Sequence, residues 1–149
     1  LKLQPITQEE AEMIAQWSYP EPYSFYDITA DAEDYEEFIS EEDRNPHTYS
    51  VYQEDELIGF FTFTPTGEGI DVGLGMHPEW TGKGRGREFI ERGLQFAEKE
   101  YAPSMFTLSV AQFNERAIKV YEKVGFVYVE EFMQPTNGSI FPFIRMKKS

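Results

Sequence analysis

Residues 108–126, LSVAQFNERAIKVYEKVGF, change their periodicity at a single residue, Asn114. Before it, the apolar and β-branched run from Met105 to Val110 reads as a strand. Asn114 has the side-chain oxygen that a helix N-cap requires, and Ala117, Val120, Tyr121 and Val124 then recur at helical spacing. Gly125 stands where a left-handed C-cap is favoured, and Phe126 opens another strand, predicted to run to Phe132. The stretch is therefore a strand, a helix capped at both ends, and a strand.

Upstream lies the sharpest local signal, Trp80-Thr81-Gly82-Lys83-Gly84-Arg85-Gly86-Arg87, between a predicted strand at Gly69 to Met76 and a predicted helix from Gly84 to about Tyr101. Glycines at such a junction let backbone N–H groups converge on an anion, the helix N-terminus adds a favourable dipole, and Lys83, Arg85 and Arg87 add charge. Two familiar phosphate motifs fail on spacing. A Walker A loop needs Lys then Ser or Thr after its last glycine, but Gly86 is followed by Arg87 and Glu88; a dinucleotide fingerprint begun at Gly82 meets Arg87 in place of its third glycine. The helix that follows is amphipathic through Ile90, Leu94, Ala97 and Tyr101. Gly73 and Gly75 in the preceding strand indicate either a bulge or the close approach of a ligand or another backbone.

Working outward, Lys2 to Ile6 reads as a strand, and Thr7 with Glu10 forms a capping box for a helix with apolar positions Ala11, Met13, Ile14 and Trp17. SYPEPYSFYD, from Ser18 to Asp27, packs aromatics around prolines and suits a shaped loop. An acidic helix is predicted from Ala32 to Glu41 with Tyr35, Phe38 and Ile39 buried, then a hairpin of Thr48 to Gln53 and Leu57 to Thr64. The last strand is predicted over Ile140 to Met146, after a loop containing Pro135, Asn137 and Gly138. The order βααβββαβαββ predicts one α+β domain of the three-layer α/β/α type, with a mixed sheet of about seven strands and four helices.

Composition narrows the function. The chain of 149 residues has room for one core, and its 13 Phe, 9 Tyr and 2 Trp predict a core of few, large side chains. The net charge of −14 argues against nucleic acid and anionic membrane surfaces. That charge is unevenly spread, because residues 1–60 hold Lys2 and Arg44 as their only bases while residues 61–149 are neutral. The absence of cysteine removes thiolate nucleophiles and disulfides. His47 and His77 lack the flanking ligand spacing of a metal site, so no metal is expected. No apolar run is long enough to span a bilayer, and the first residues lack the pattern of a signal peptide, so a cytoplasmic protein is expected.

The two blocks together strongly resemble the GNAT superfamily of acetyl-CoA-dependent N-acetyltransferases. The first is similar to the family's apolar-x-Pro followed by R/Q-x-x-G-x-G/A, here Met76, His77, Pro78 and then Thr81 through Gly86, with Thr81 where the family usually has Arg or Gln. The second resembles N-x-x-A-x-x-x-Y-x-x-x-G-F at Asn114, Ala117, Tyr121, Gly125 and Phe126. The resemblance spans roughly residues 48–146 and implies a GNAT fold, with residues 48–146 as the sheet and acetyl-CoA core and residues 1–47 on the acceptor side.

It further implies an acetyl-CoA pantetheine arm bound along Leu74, Gly75 and Met76 in a splay beside the strand at Met105 to Val110, with Gly73 and Gly75 leaving it room. Thr81, Gly82, Lys83, Gly84, Arg85, Gly86 and Arg87 would hold the pyrophosphate, and Asn114 would contact the arm as well as cap its helix. Tyr121 matches the position that protonates the departing thiolate, which a neutral phenol can do. An amine acceptor with a pKa of about 10.4 must lose a proton before attack. A water chain ending on a carboxylate would serve, with Asp71 the first candidate and Glu68 the second, while His77 reads as a surface residue. Tyr19, Tyr23, Phe25 and Tyr26 are candidates to wall an acceptor groove, with packing against the sheet as the alternative. The acidic N-terminal part suggests a cationic amine as partner. A homodimer is a candidate assembly, and a non-catalytic acyl-CoA sensor is the rival reading.

Overall fold

Strand β3, Glu56–Pro65, is the spine of the fold because its two faces are both covered. Phe61 and Phe63 point to one face, where Phe61 stacks on Phe89 of helix α3 (Gly86–Tyr101) with ring centroids 4.6 Å apart. Phe60 points to the other face and meets Phe38 of helix α2 (Ala32–Ile39) at 5.3 Å. The computed structural model, which describes residues 1–149, is therefore a three-layer arrangement with helices on both faces of one sheet.

The sheet has seven strands: β1 (Lys2–Pro5), β2 (Thr48–Gln53), β3, β4 (Ile70–Met76), β5 (Phe106–Ala111), β6 (Val127–Thr136) and β7 (Ser139–Lys148). Their spatial order is β1-β2-β3-β4-β5-β7-β6, and only β4 and β5 run parallel. Helix α1 (Gln8–Ile14) follows β1, and α4 (Glu115–Val124) follows β5. This is the predicted element order and the GNAT fold. Phe61, Phe63, Phe89 and Phe126 are among the largest fully buried side chains, and burying each contributes about 1.5–3 kcal/mol relative to exposure. No helix is long and apolar enough to cross a membrane.

The local signals that specify the helices are present as hydrogen bonds. Thr7 Oγ1 accepts from the Glu10 N–H while the Glu10 carboxylate accepts from the Thr7 N–H, closing the predicted capping box. Asn114 Oδ1 accepts from the Ala117 N–H, and Gly125 ends α4 at φ 117°, where a side chain would be strained. Glu10 also accepts from Ser50 and Tyr52 of β2, which pins α1 to the sheet.

Four expectations are corrected. Met13 is 58% exposed, α1 ends at Ile14 short of Trp17, and the C-cap Ala15 joins Ala11 and Ile14 in the buried stripe. Strands β3 and β4 pair continuously from Gly59↔Met76 to Pro65↔Ile70, so Gly73 and Gly75 mark no bulge; the ring of Phe60 fills the space that a side chain at Gly75 would need. Helix α3 begins at Gly86 rather than Gly84, because Gly82 and Gly84 are held at φ 71° and 73° in the preceding loop. Pro135 lies inside β6, leaving Asn137 and Gly138, both at positive φ, as the two-residue turn of a longer hairpin.

Candidate active site

Strands β4 and β5 pair only at Ile70↔Phe106 and Asp71↔Thr107. Beyond those residues they part, which leaves their facing backbone edges unpaired where β3 and β7 cover the outer edges. The gap opens into a cavity of about 720 Å³ walled by Val72 to Met76 on one side and Leu108 to Val110 on the other. An extended ligand carrying its own amides can complete both edges in the manner of an added strand.

At one end of this cavity stands the glycine-rich loop. Thr81, Gly82, Gly84, Gly86 and Arg87 line it, and the left-handed conformations of Gly82 and Gly84 form the concave turn that leads into α3. Lys83 and Arg85 do not line the cavity: the Arg85 guanidinium lies 4.3 Å above the Trp80 ring instead. The Thr81 hydroxyl donates to the Pro78 carbonyl at 2.7 Å, which fixes the turn itself. Two cations missed from sequence, Arg116 and Lys123 of α4, do face the cavity. Their spacing with Val120 along one helix face was the available signal.

The segment from Tyr19 to Tyr26 crosses the mouth of the splay as a strap. Tyr19 donates to the Met76 carbonyl at 2.6 Å, engaging the end of β4. Tyr26 accepts from the Ala111 N–H at 3.1 Å and from Asn114 Nδ2 at 3.2 Å, engaging the end of β5. Between them the Tyr23 ring carries the Arg116 guanidinium at 4.3 Å. These three tyrosines line the cavity, together with Trp17, Ile28 and Phe60, which the sequence reading had not assigned to it. Phe25 does not; it packs against Phe141 and Phe113 at 4.9 and 5.5 Å, and its carbonyl accepts from Asn137 Nδ2, so it anchors the strap to the β6–β7 hairpin.

Tyr121 is 8% exposed and lines the cavity floor, with its ring edge against Phe126. Burial, and secondarily the neighbouring Tyr26, push its phenol well above the ordinary tyrosine range, so it stays protonated throughout the neutral range. Burial likewise raises Tyr19, with Asp27 adding to the effect. Asp71 is located away from this chemistry. It sits at the closed root of the splay, accepts from Thr107 Oγ1 at 2.7 Å, and lines no part of the cavity. Glu68 lies in the turn before β4 and faces Arg145 at 3.4 Å. No carboxylate lines the cavity, so an acid could receive the amine's proton only through water. His77 accepts from the Glu79 N–H and meets Trp17 edge-on outside it.

A parallel pair that splays beside a glycine-rich helix entrance makes a site for an extended, amide-bearing ligand that carries an anionic group. Residues 10–126 match the model of the Acetyltransferase (GNAT) family, and the chain belongs to that family: it is an acetyltransferase with acetyl-CoA as donor. The unpaired strand edges and the loop fit the arm and diphosphate of that donor. No curated protein sequence matches the chain significantly. Among solved structures, a chimera of spermidine N-acetyltransferase SpeG from Vibrio cholerae and hSSAT superposes with a TM-score of 0.76 at 20% identity, covering 99% of this chain and 95% of that one. The Vibrio cholerae spermidine N-acetyltransferase in complex with CoA and spermine gives 0.75 at 23% identity, covering 98% and 93%. At these identities the likeness speaks for the fold.

Proposed function

We propose that the protein acetylates a primary amine of a polycationic small molecule of the polyamine class by direct transfer. The observation that carries this reading is the shape of the cavity: a splayed strand pair for the thioester arm, with an aromatic strap across its mouth whose Tyr19 and Tyr26 line it beside Trp17 and Phe60. Aromatic faces attract cations without adding a fixed charge, each contact contributing about 0.5–2 kcal/mol. The 16 acidic residues among positions 1–60 act from outside the cavity by drawing a polycation toward it. The structural neighbours that act on spermidine, one of them holding spermine, favour the same class. On this reading residues 1–47 serve the acceptor and residues 48–146 the donor, in a cytoplasmic setting where acetyl-CoA is available.

Acetyl-CoA supplies an activated acetyl group as a thioester. Backbone groups of Leu74, Gly75 and Met76, the Asn114 side chain and the glycine loop from Thr81 to Arg87 bind and orient that donor. The N–H groups of the splayed β4 edge stabilise negative charge on the carbonyl oxygen. The neutral amine attacks the thioester carbonyl, forming the C–N bond as the C–S bond breaks; Tyr121, held neutral by burial, donates its phenolic proton to the departing sulfur and is reprotonated through water by the proton that the new amide nitrogen releases. An ammonium of pKa about 10.4 is almost entirely protonated at pH 7, and with no carboxylate on the wall its proton leaves to water in the open cavity. Turnover therefore rises with pH toward the amine pKa. The test is release of free thiol from acetyl-CoA across spermidine, spermine, an aminoglycoside and a lysine-rich peptide. Preference for the polyamines supports the proposal; preference for the peptide, or donor binding without thiol release, refutes it.

A further inference from the structure

We propose that Arg116 is the cation that grips the diphosphate of the donor, closing on the glycine loop from the α4 side. The inference rests on the acetyl-CoA reading above. Of the five basic side chains around the loop and on the facing side of α4, three are turned away or engaged, Lys123 lines the cavity two turns farther along α4, and Arg116 reaches the loop itself at Gly82. Lys83 and Arg85 do not line the cavity, Arg85 being stacked on Trp80, and Arg87 shares its charge with Glu91 at 3.6 Å. Arg116 has no carboxylate partner and lines the cavity.

Its position follows from two neighbours. Nη1 stands 3.0 Å from the point that a Cβ on Gly82 would occupy, so the guanidinium leans into the space that glycine leaves open over the loop. On its other side the guanidinium lies on the Tyr23 ring at 4.3 Å. Stacking of this kind holds a cation in place without using its N–H donors or neutralising its charge. The planar fork is thus aimed across the loop with its donors free, which is the geometry that takes a phosphate through paired N–H···O bonds. Loop amides from one side and Arg116 from the other then enclose the anion, and Tyr23 serves as the positioning residue for Arg116.

The test compares two donors, acetyl-CoA and acetylpantetheine, which has the same thioester arm but ends before the diphosphate. Arg116→Ala is expected to lower kcat/KM for acetyl-CoA roughly 10- to 100-fold, within the range of hydrogen bonds to charged groups, and to weaken CoA binding in a calorimetric titration by a similar factor. Activity with acetylpantetheine is expected to stay within about twofold, which also reports that the variant is folded. Arg116→Lys should recover part of the loss, and Tyr23→Leu should lower CoA affinity by a smaller factor because the guanidinium loses its seat. Equal losses with both donors would assign Arg116 a structural role and overturn the proposal, as would unchanged CoA affinity in Arg116→Ala. Should the unmodified protein itself fail to bind CoA, the acetyl-CoA reading falls first and this inference with it.

Discussion

Removing one oxygen at Tyr121 separates chemistry from packing. The ring is buried against Phe126 and belongs to the main core cluster, so Tyr121→Phe keeps those contacts. The hydroxyl lost faces the cavity, and the variant is expected to unfold within about 1 kcal/mol of the parent, in the range of one net hydrogen bond. If the phenol protonates the leaving sulfur, turnover falls about 100-fold, the lower end of the general-acid range and equivalent to about 2.7 kcal/mol of barrier. The assay is thiol release from acetyl-CoA at saturating spermidine, alongside a CoA titration. Because the phenol is held above the ordinary tyrosine range, the parent shows no loss of rate from its ionisation between about pH 7 and 9. A variant with kcat within about twofold of the parent would refute the role, and a parallel loss of CoA affinity would show a binding residue instead.

Three further outcomes are expected. Asp71→Asn leaves kcat within about threefold, because the side chain is spent on Thr107 outside the cavity; a loss of 100-fold or more, in the range of general base catalysis, would restore it to the mechanism. Burial pushes the Glu10 carboxyl up, but hydrogen bonds from Tyr52, Thr7 and Ser50 outweigh it and hold the group below the ordinary glutamate range. Its contribution is therefore present above about pH 4.5 and lost as pH falls further. Glu10→Gln should cost about 1–3 kcal/mol at pH 7 and flatten that acid limb in denaturant titrations. Tyr19, Tyr26, Tyr101 and Tyr121 are all raised, chiefly by burial. Their stabilisation is complete below the unfolded pKa of about 10 and declines above it, so Tm should fall as pH is taken past about 10.

Features written into consecutive residues were legible. The capping box of Thr7 and Glu10, the Asn114 cap, the left-handed Gly125 and the β2–β3 hairpin each depend on local spacing, and each formed as read. The split of β4 from β5 was expected through the family resemblance and is present as two paired positions followed by none. What escaped is set by contacts distant in sequence. Phe25 and Tyr26 are adjacent and chemically alike, yet one ring turns to Phe141 of the hairpin while the other reaches Asn114, a difference settled by partners over 80 residues away. Arg116 joins the site only because α4 packs beside the loop, where Gly86 lets Val120 approach to 3.6 Å from its absent Cβ. Asp71 reads as an acid on the strand before the loop, and that strand's register with β5 places it at the closed end of the splay.

Thiol release from acetyl-CoA with spermidine, measured from pH 6.5 to 9.5, tests the central claim most directly. Spermidine-dependent thiol release that climbs with pH toward the amine pKa, with acetylspermidine as the product, is the predicted result. CoA binding without spermidine-dependent thiol release at any pH in that range would contradict it.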